Sequence, residues 1–281
     1  MTTARLIQIL TGAALFSLLL AVGLRLTWSE VSNAVRRSRL VLILLVNFVI
    51  IPALTVGVAR LLQLPTSIAI GMTLLAAAPF APMVPIFAQL ARADLALAAG
   101  LTALIPILSA VLTPFIVALS LNAFQYSNGL HFDFTVMLGI LVGMVTVPLG
   151  LGFALRRWNQ TLADKILRPV EIVSQIVGAL ALAFVVVSQF KMVAGLGWKA
   201  ALTMLALAEL NLLCGYALGG GSRESRRSLA LGASCRNLAL AVFLAASSFA
   251  DTTVAGAVVA NGLLFIVLAL GHVAWWRWRH A

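Results

Sequence analysis

The chain has 281 residues, of which 62% are hydrophobic and 10% charged, with a mean hydropathy of +1.09 and a formal net charge of +11. A soluble domain carries roughly 45–50% apolar and about 25% charged residues, so this excess excludes a soluble fold, and its continuous apolar runs exclude a β-barrel, whose strands alternate. Cys214 and Cys235 lie inside apolar runs, and His131, His272 and His280 stand away from them in sequence, so neither a disulfide scaffold nor a His/Cys metal cluster is expected.

A helix needs about 20 apolar residues to cross the hydrocarbon. Nine runs meet this, at 5–26, 40–62, 66–91, 94–122, 134–155, 169–190, 198–219, 228–250 and 253–276. The first begins near Arg5, as a signal peptide would. It is long, however, and no small-residue cleavage site follows it before the next basic cluster, so a retained helix is expected. The connections 27–39, 123–133, 156–168 and 220–227 are read as loops, too short to form a soluble domain. Nine spans place Arg25, Arg36, Arg37, Arg39, Arg92, Arg156, Arg157, Lys165, Arg168, Arg223, Arg226, Arg227, Arg277 and Arg279 on one side, and only Arg5, Arg60, Lys191 and Lys199 on the other. This asymmetry orients the chain with its N-terminus outside and its C-terminus in the cytoplasm, in the cell (inner) membrane. The ending Trp275-Trp276-Arg277-Trp278-Arg279 reads as an aromatic interfacial anchor, and the net charge has no need of a nucleic-acid partner.

Two spans are interrupted. The third contains Pro79-Phe80-Ala81-Pro82-Met83-Val84-Pro85. Each proline lacks an N–H and collides with the carbonyl four residues back, which frees the carbonyls of Leu75, Ala78 and Ala81. Such backbone is tolerated in a membrane only when buried in protein or lining a wet cavity. The eighth span contains Arg236 between apolar runs, with Gly232, Ser234 and Asn237 around it, residue types that permit an unwound turn. Arg236 either snorkels to the cytoplasmic border or faces inward as a functional group. Glu209, with Asn211 beside it, is central in the seventh span, where a carboxyl is paired or protonated. Asn47, central in the second span, is either a ligand or a hydrogen-bonding link between helices. Glu171 reads as a first-turn carboxylate after Pro169, and Gly139 with Gly143 as a helix-packing motif.

Interruptions at spans three and eight lie five spans apart, so the two copies run in opposite directions. Each follows a span with a central polar residue. This order is that of an inverted-topology repeat with discontinuous helices meeting at the midplane. The first repeat covers about 5–122 and lacks its first helix; the second covers about 134–276. The whole chain is one transmembrane transporter domain. The expected fold class is therefore an all-α integral membrane protein with nine transmembrane helices and two broken helices, whose segments 79–85 and 232–237 are non-helical or distorted and cross near mid-membrane.

The chain resembles the bile acid:sodium symporter family. The resemblance is carried by Leu64-Pro65-Thr66 through Pro114, including Leu90-Ala91-Arg92-Ala93-Asp94-Leu95-Ala96-Leu97 and Leu112-Thr113-Pro114, and by Arg236-Asn237-Leu238-Ala239-Leu240-Ala241. It implies a core domain with two crossed, broken helices, a panel domain that moves against it, and transport of organic anions such as bile acids, pyruvate or pantoate-like acids, usually driven by sodium. Nine-helix versions without the first helix exist. Sodium-coupled members have a polar Gly-Gly-Thr-Ala-Ser-Asn-like stretch after the first proline, where this chain reads Phe80 through Pro85. A serine ligand of the family matches Ala98, while its threonine is kept as Thr102. The family's key glutamate matches Gly232, its glutamine Arg236 and a second-span glutamine Asn47; Asn237 is kept.

The expected function is secondary transport of a small organic anion without sodium, with Arg236 holding a fixed positive charge where other members bind the ion. The substrate- or ion-binding candidates are Asn47, Pro79, Pro82, Pro85, Thr102, Glu209, Arg236 and Asn237. Arg236 is expected to bind a substrate carboxylate or pair with Glu209, whose protonation would link transport to protons. The alternative is sodium symport through backbone carbonyls and Thr102. No nucleophile–base pair, metal set or phosphate loop supports an enzyme, no cofactor beyond a coupling Na+ or H+ is expected, and the lipid bilayer is the only partner implied besides the substrate.

Overall fold

The computed structural model describes residues 3–37, 39–124, 134–249 and 252–279, and every regular element among them is a helix. Seven helices among the described residues are long and apolar enough to cross a membrane. They are α1 (Thr3–Arg25), the continuous stretch Leu40–Leu61, α7 (Leu95–Ala123), the stretch Phe134–Trp158, α10 (Gln160–Ser188), α12 (Trp198–Leu218) and α15 (Thr252–Trp278); the short α11 (Phe190–Ala194) lies between α10 and α12. The third and eighth runs are each divided, into α5 (Thr66–Ala77) and α6 (Val84–Leu90), and into α13 (Arg223–Ser234) and α14 (Leu238–Ser248).

The stretch Leu40–Leu61 is α3 (Leu40–Leu45), a π-helical turn (Val46–Ile50) and α4 (Ile51–Leu61). Pro52 explains the widened turn. Its ring would strike the Phe48 carbonyl of a regular helix, and one extra residue per turn relieves that contact. Phe134–Trp158 repeats the device: α8 (Phe134–Leu141), a π turn (Val142–Thr146), then α9 (Val147–Trp158) with Pro148 near its start.

Several sequence readings are corrected. The segment 27–39 is not simply a loop, because α2 (Trp28–Arg37) occupies most of it. Thr27 and Glu30 form a capping box: the Thr27 N–H and hydroxyl both donate to the Glu30 carboxylate, at 2.9 and 2.7 Å, which starts a helix inside a polar stretch. The segment 156–168 is also largely helical. Asn159 caps α10, its side-chain oxygen accepting from the Leu162 N–H at 2.9 Å, so Pro169 and Glu171 lie in the helix interior rather than its first turn. Glu171 pairs there with Arg25 at the end of α1. Among the described residues Gly139 and Gly143 meet no neighbour: a Cβ at either would enter open space. The expected loop at 123–133 lies almost wholly outside the described residues, as do His131 and His280.

Helix α1 runs along α9 and α10 and also touches α14, while α15 packs on α5, α12 and α14. The half-helix α13 is held tightly against α12. A Cβ at Gly215 would lie 2.3 Å from the Leu229 carbonyl oxygen, and one at Gly219 would lie 2.2 Å from the Arg226 Cα. Two glycines four residues apart thus let the backbones approach, as in small-residue packing within membranes. At the other side of α13, Ser228 donates to the Asp94 carbonyl at 2.7 Å and the Asp94 N–H to the Glu224 carbonyl at 3.2 Å. Asp94 is the N-cap of α7, and Arg92 before it adopts a left-handed conformation (φ 51°). The Ala91–Leu95 turn therefore joins α6 to α7 and anchors the start of α13.

Candidate functional site: the crossing of the two broken helices

The two interruptions meet. Phe80 and Arg236 face each other as an antiparallel bridge; the Ala81 N–H donates to the Cys235 carbonyl at 2.8 Å, and the Asn237 N–H to the Pro79 carbonyl at 2.8 Å. Two short extended segments inside an all-helical protein thus satisfy each other's backbone, which is what non-helical chain within a membrane requires. Their extents correct the sequence expectation. The first break is 78–83, because Pro85 sits in the opening turn of α6, where the missing N–H costs nothing. The second is 235–237, since Gly232 to Ser234 remain in α13.

Every carbonyl freed by the prolines has found a donor. The Leu75 carbonyl accepts from the Ala78 N–H at 3.1 Å, and the Ala81 carbonyl from the Val84 N–H at 3.0 Å. The Ala78 carbonyl accepts from Arg236 Nη1 at 3.1 Å. The neighbouring Ala77 carbonyl accepts from the Thr113 hydroxyl on α7 at 2.8 Å, which gives the Leu112-Thr113-Pro114 motif a structural role.

Arg236 is buried, 4% exposed, and does not snorkel. Its guanidinium donates through Nε to the Ala233 carbonyl at 2.8 Å, through Nη1 to Ala78 and through Nη2 to the Asn47 side-chain oxygen at 2.8 Å. Asn47 sits in the π turn and is oriented by its own donation to the Ile43 carbonyl at 2.8 Å. Arg236 has no carboxylate within ion-pair distance among the described residues. Its charge is met instead by helix ends. The C-termini of α5 (Ala77) and α13 (Ser234) converge on it, each carrying a partial charge of about −0.5, so together they balance roughly one positive charge. Three of five guanidinium N–H groups are used, leaving one on each terminal nitrogen.

The other half-helices begin at the same place. Asn237 caps α14, its Oδ1 accepting from the Leu240 N–H at 3.1 Å, while its Nδ2 is buried without a partner. Thr102 Oγ1 on α7 and Asn261 Oδ1 on α15 are also buried without partners among the described residues. Phe80, which the sequence reading treated only as the loss of an oxygen, fills space: a Cβ at Gly232 would meet its ring at 2.4, 2.7 and 2.9 Å. Phe80 was missed as a site residue, because a large residue facing a glycine across a fold crossing leaves no signal in the sequence.

Glu209 is placed elsewhere. Its carboxylate lies 3.4 Å from His272 Nε2 on α15 and is not among the partners of Arg236, so the expected Arg236–Glu209 pair is not formed. The reason is geometric: Glu209 points to the groove between α12 and α15, its side chain 38% exposed, whereas Arg236 turns toward α5 and the π turn. Asn47, Arg236, Asn237 and the first break are brought together; Pro82 and Pro85 shape the break without a polar group of their own.

A multi-pass α-helical membrane protein with two broken helices crossing around buried polar groups has the build of a membrane transporter. The model of the sodium bile acid symporter family matches residues 13–196, and the chain belongs to that family. The match includes the first break and ends before the second. No curated protein matches the chain.

Proposed function

We propose that this protein is a secondary transporter of a small organic anion and works without sodium, with the guanidinium of Arg236 standing in for a coupling cation. The observation that carries the reading is the set of three oxygens around Arg236: the Asn47 side chain and the carbonyls of Ala78 and Ala233. Hard cations take oxygen ligands, and here a tethered cation already occupies them. The remaining N–H on each terminal nitrogen, the free Nδ2 of Asn237 and the N-terminal end of α14 supply donors for a carboxylate, and an arginine fork suits one geometrically. The nine-span reading supports this. Counting the two broken helices with the seven continuous ones gives nine crossings in two inverted halves, with α1, α9 and α10 forming the moving panel. The N-terminus then lies outside and the C-terminus in the cytoplasm of the cell membrane.

The second reading, sodium symport through backbone carbonyls and Thr102, is favoured by one observation, the unpartnered buried hydroxyl of Thr102. Counterflow of radiolabelled organic acids (pyruvate, pantoate, taurocholate) into proteoliposomes tests the proposal, with sodium or choline as the only cation. The expected result is saturable uptake of at least one acid, with initial rates equal in the two salts. A strong, saturable requirement for sodium overturns the first reading in favour of the second, and no counterflow of any acid overturns both.

A further inference from the structure

Away from the crossing, the ends of α12, α13 and α15 enclose a cavity of about 550 Å³. Its rim is basic. Arg223 opens α13, Arg279 follows α15, and Arg227 lies one turn into α13. None of the three pairs with a carboxylate among the described residues. Arg227 is buried and fixed: Nη1 donates to the Ala91 carbonyl at 3.0 Å, and its guanidinium lies 5.6 Å from the centre of the Trp276 ring. Arg279 lies 4.6 Å over Trp275. These contacts orient the guanidinium groups without neutralising them.

Below this rim the lining changes character. His272, one turn before Trp276 on α15, and Leu212 and Leu213 on α12 line the rest. Leu213 is 53% exposed and Trp275 44%, so the cavity opens sideways onto the lipid-facing surface as well as at the helix ends. Glu209 on α12 lies 3.4 Å from His272; Arg226 is turned aside, its guanidinium 5.7 Å from the Tyr216 ring centre and its Nε donating to the Gly220 carbonyl at 2.6 Å.

We infer that this cavity holds the anionic headgroup of a membrane phospholipid. The phosphodiester lies between Arg223, Arg227 and Arg279, and the acyl chains run down over Leu212 and Leu213. The gradient from three cations through tryptophans at the interface to leucines facing lipid matches a lipid from headgroup to tail, whereas a free phosphate would use only the top. The leaflet is the arginine-rich one, cytoplasmic in the orientation proposed above. Because Arg227 also holds the Ala91 turn, an occupied site would brace the half-helix that leads to the crossing.

Native mass spectrometry of the full-length protein in detergent tests this, with phosphatidylglycerol, phosphatidylcholine and inorganic phosphate as probes. Phosphatidylglycerol is expected to bind at least about tenfold tighter than phosphatidylcholine, since basic residues at a membrane surface each contribute about a 5-fold factor toward anionic lipid. The exposed pair Arg223→Gln and Arg279→Gln should lower that preference by about 5-fold for each, leaving only the share of Arg227, while Arg168→Gln on α10 should leave it intact. Equal binding of the two lipids, or a preference undiminished in the double variant, overturns the proposal. Displacement of phosphatidylglycerol by millimolar inorganic phosphate overturns the lipid assignment in favour of a soluble anion. The readout is lipid binding, so it stands or falls separately from the transport reading.

Discussion

Arg236→Gln is expected to abolish the proposed sodium-independent uptake and to create a response to sodium. The substitution withdraws donors from the Ala78 carbonyl and the Asn47 side chain, both buried. A buried acceptor left without a donor costs about 1–3 kcal/mol, so these two together remove about 2–6 kcal/mol, a large share of a typical folding stability of 5–15 kcal/mol. The same oxygens, joined by the new amide oxygen, then form a vacant cation site. Thermal unfolding in detergent should show the variant melting well below the natural protein in choline chloride and recovering part of the loss in sodium chloride, while the natural protein is indifferent to the exchange. Arg236→Lys keeps the charge but cannot span three acceptors and a carboxylate, so it should keep the fold better and still lose most substrate affinity. A variant that is indifferent to sodium, or an Arg236→Lys protein with normal affinity, would reduce Arg236 to a structural link between the two breaks.

The sequence carried the class of the molecule because composition and hydropathy act over whole spans, and it carried the interruptions because proline and a buried arginine conflict locally with helix in lipid. Pro79, Pro82, Asn47, Arg236 and Asn237 were therefore legible, and all of them lie at the crossing. Their partners were not. Arg236 reaches Asn47 across 189 residues of sequence and Ala78 across 158, and the choice of those oxygens over Glu209 depends on which way the unwound turn faces. Helix α2 went unread because its capping box lies in a polar segment where no apolar run marks a helix. Gly139 and Gly143 show the opposite error: the spacing of a packing motif was present, but the face that bears it meets no neighbour among the described residues.

Gly232 and Phe80 provide the second large effect. Gly232→Ala is expected to destabilise the protein by about 1–3 kcal/mol, the usual cost of overpacking a filled core, because the added methyl would meet three atoms of a ring that is itself 1% exposed. Phe80→Ala is expected to cost about 3–5 kcal/mol through the cavity it leaves. The two sites share one volume, so their effects should not add: a double-mutant cycle on unfolding in detergent should give a coupling of about 0.5–3 kcal/mol, where distant sites would give none. Additive effects would mean that the ring can move aside, and that packing does not keep a larger side chain out of position 232. If the coupling is found, it also separates two reasons for the proposed independence of sodium. Phe80→Gly with Gly232→Glu restores room and a carboxylate, yet that carboxylate would sit one turn before Arg236 and be neutralised by it. Sodium-dependent uptake is therefore expected only when Arg236→Gln is added as a third change, because only then is a negative charge left beside oxygens that no internal cation occupies.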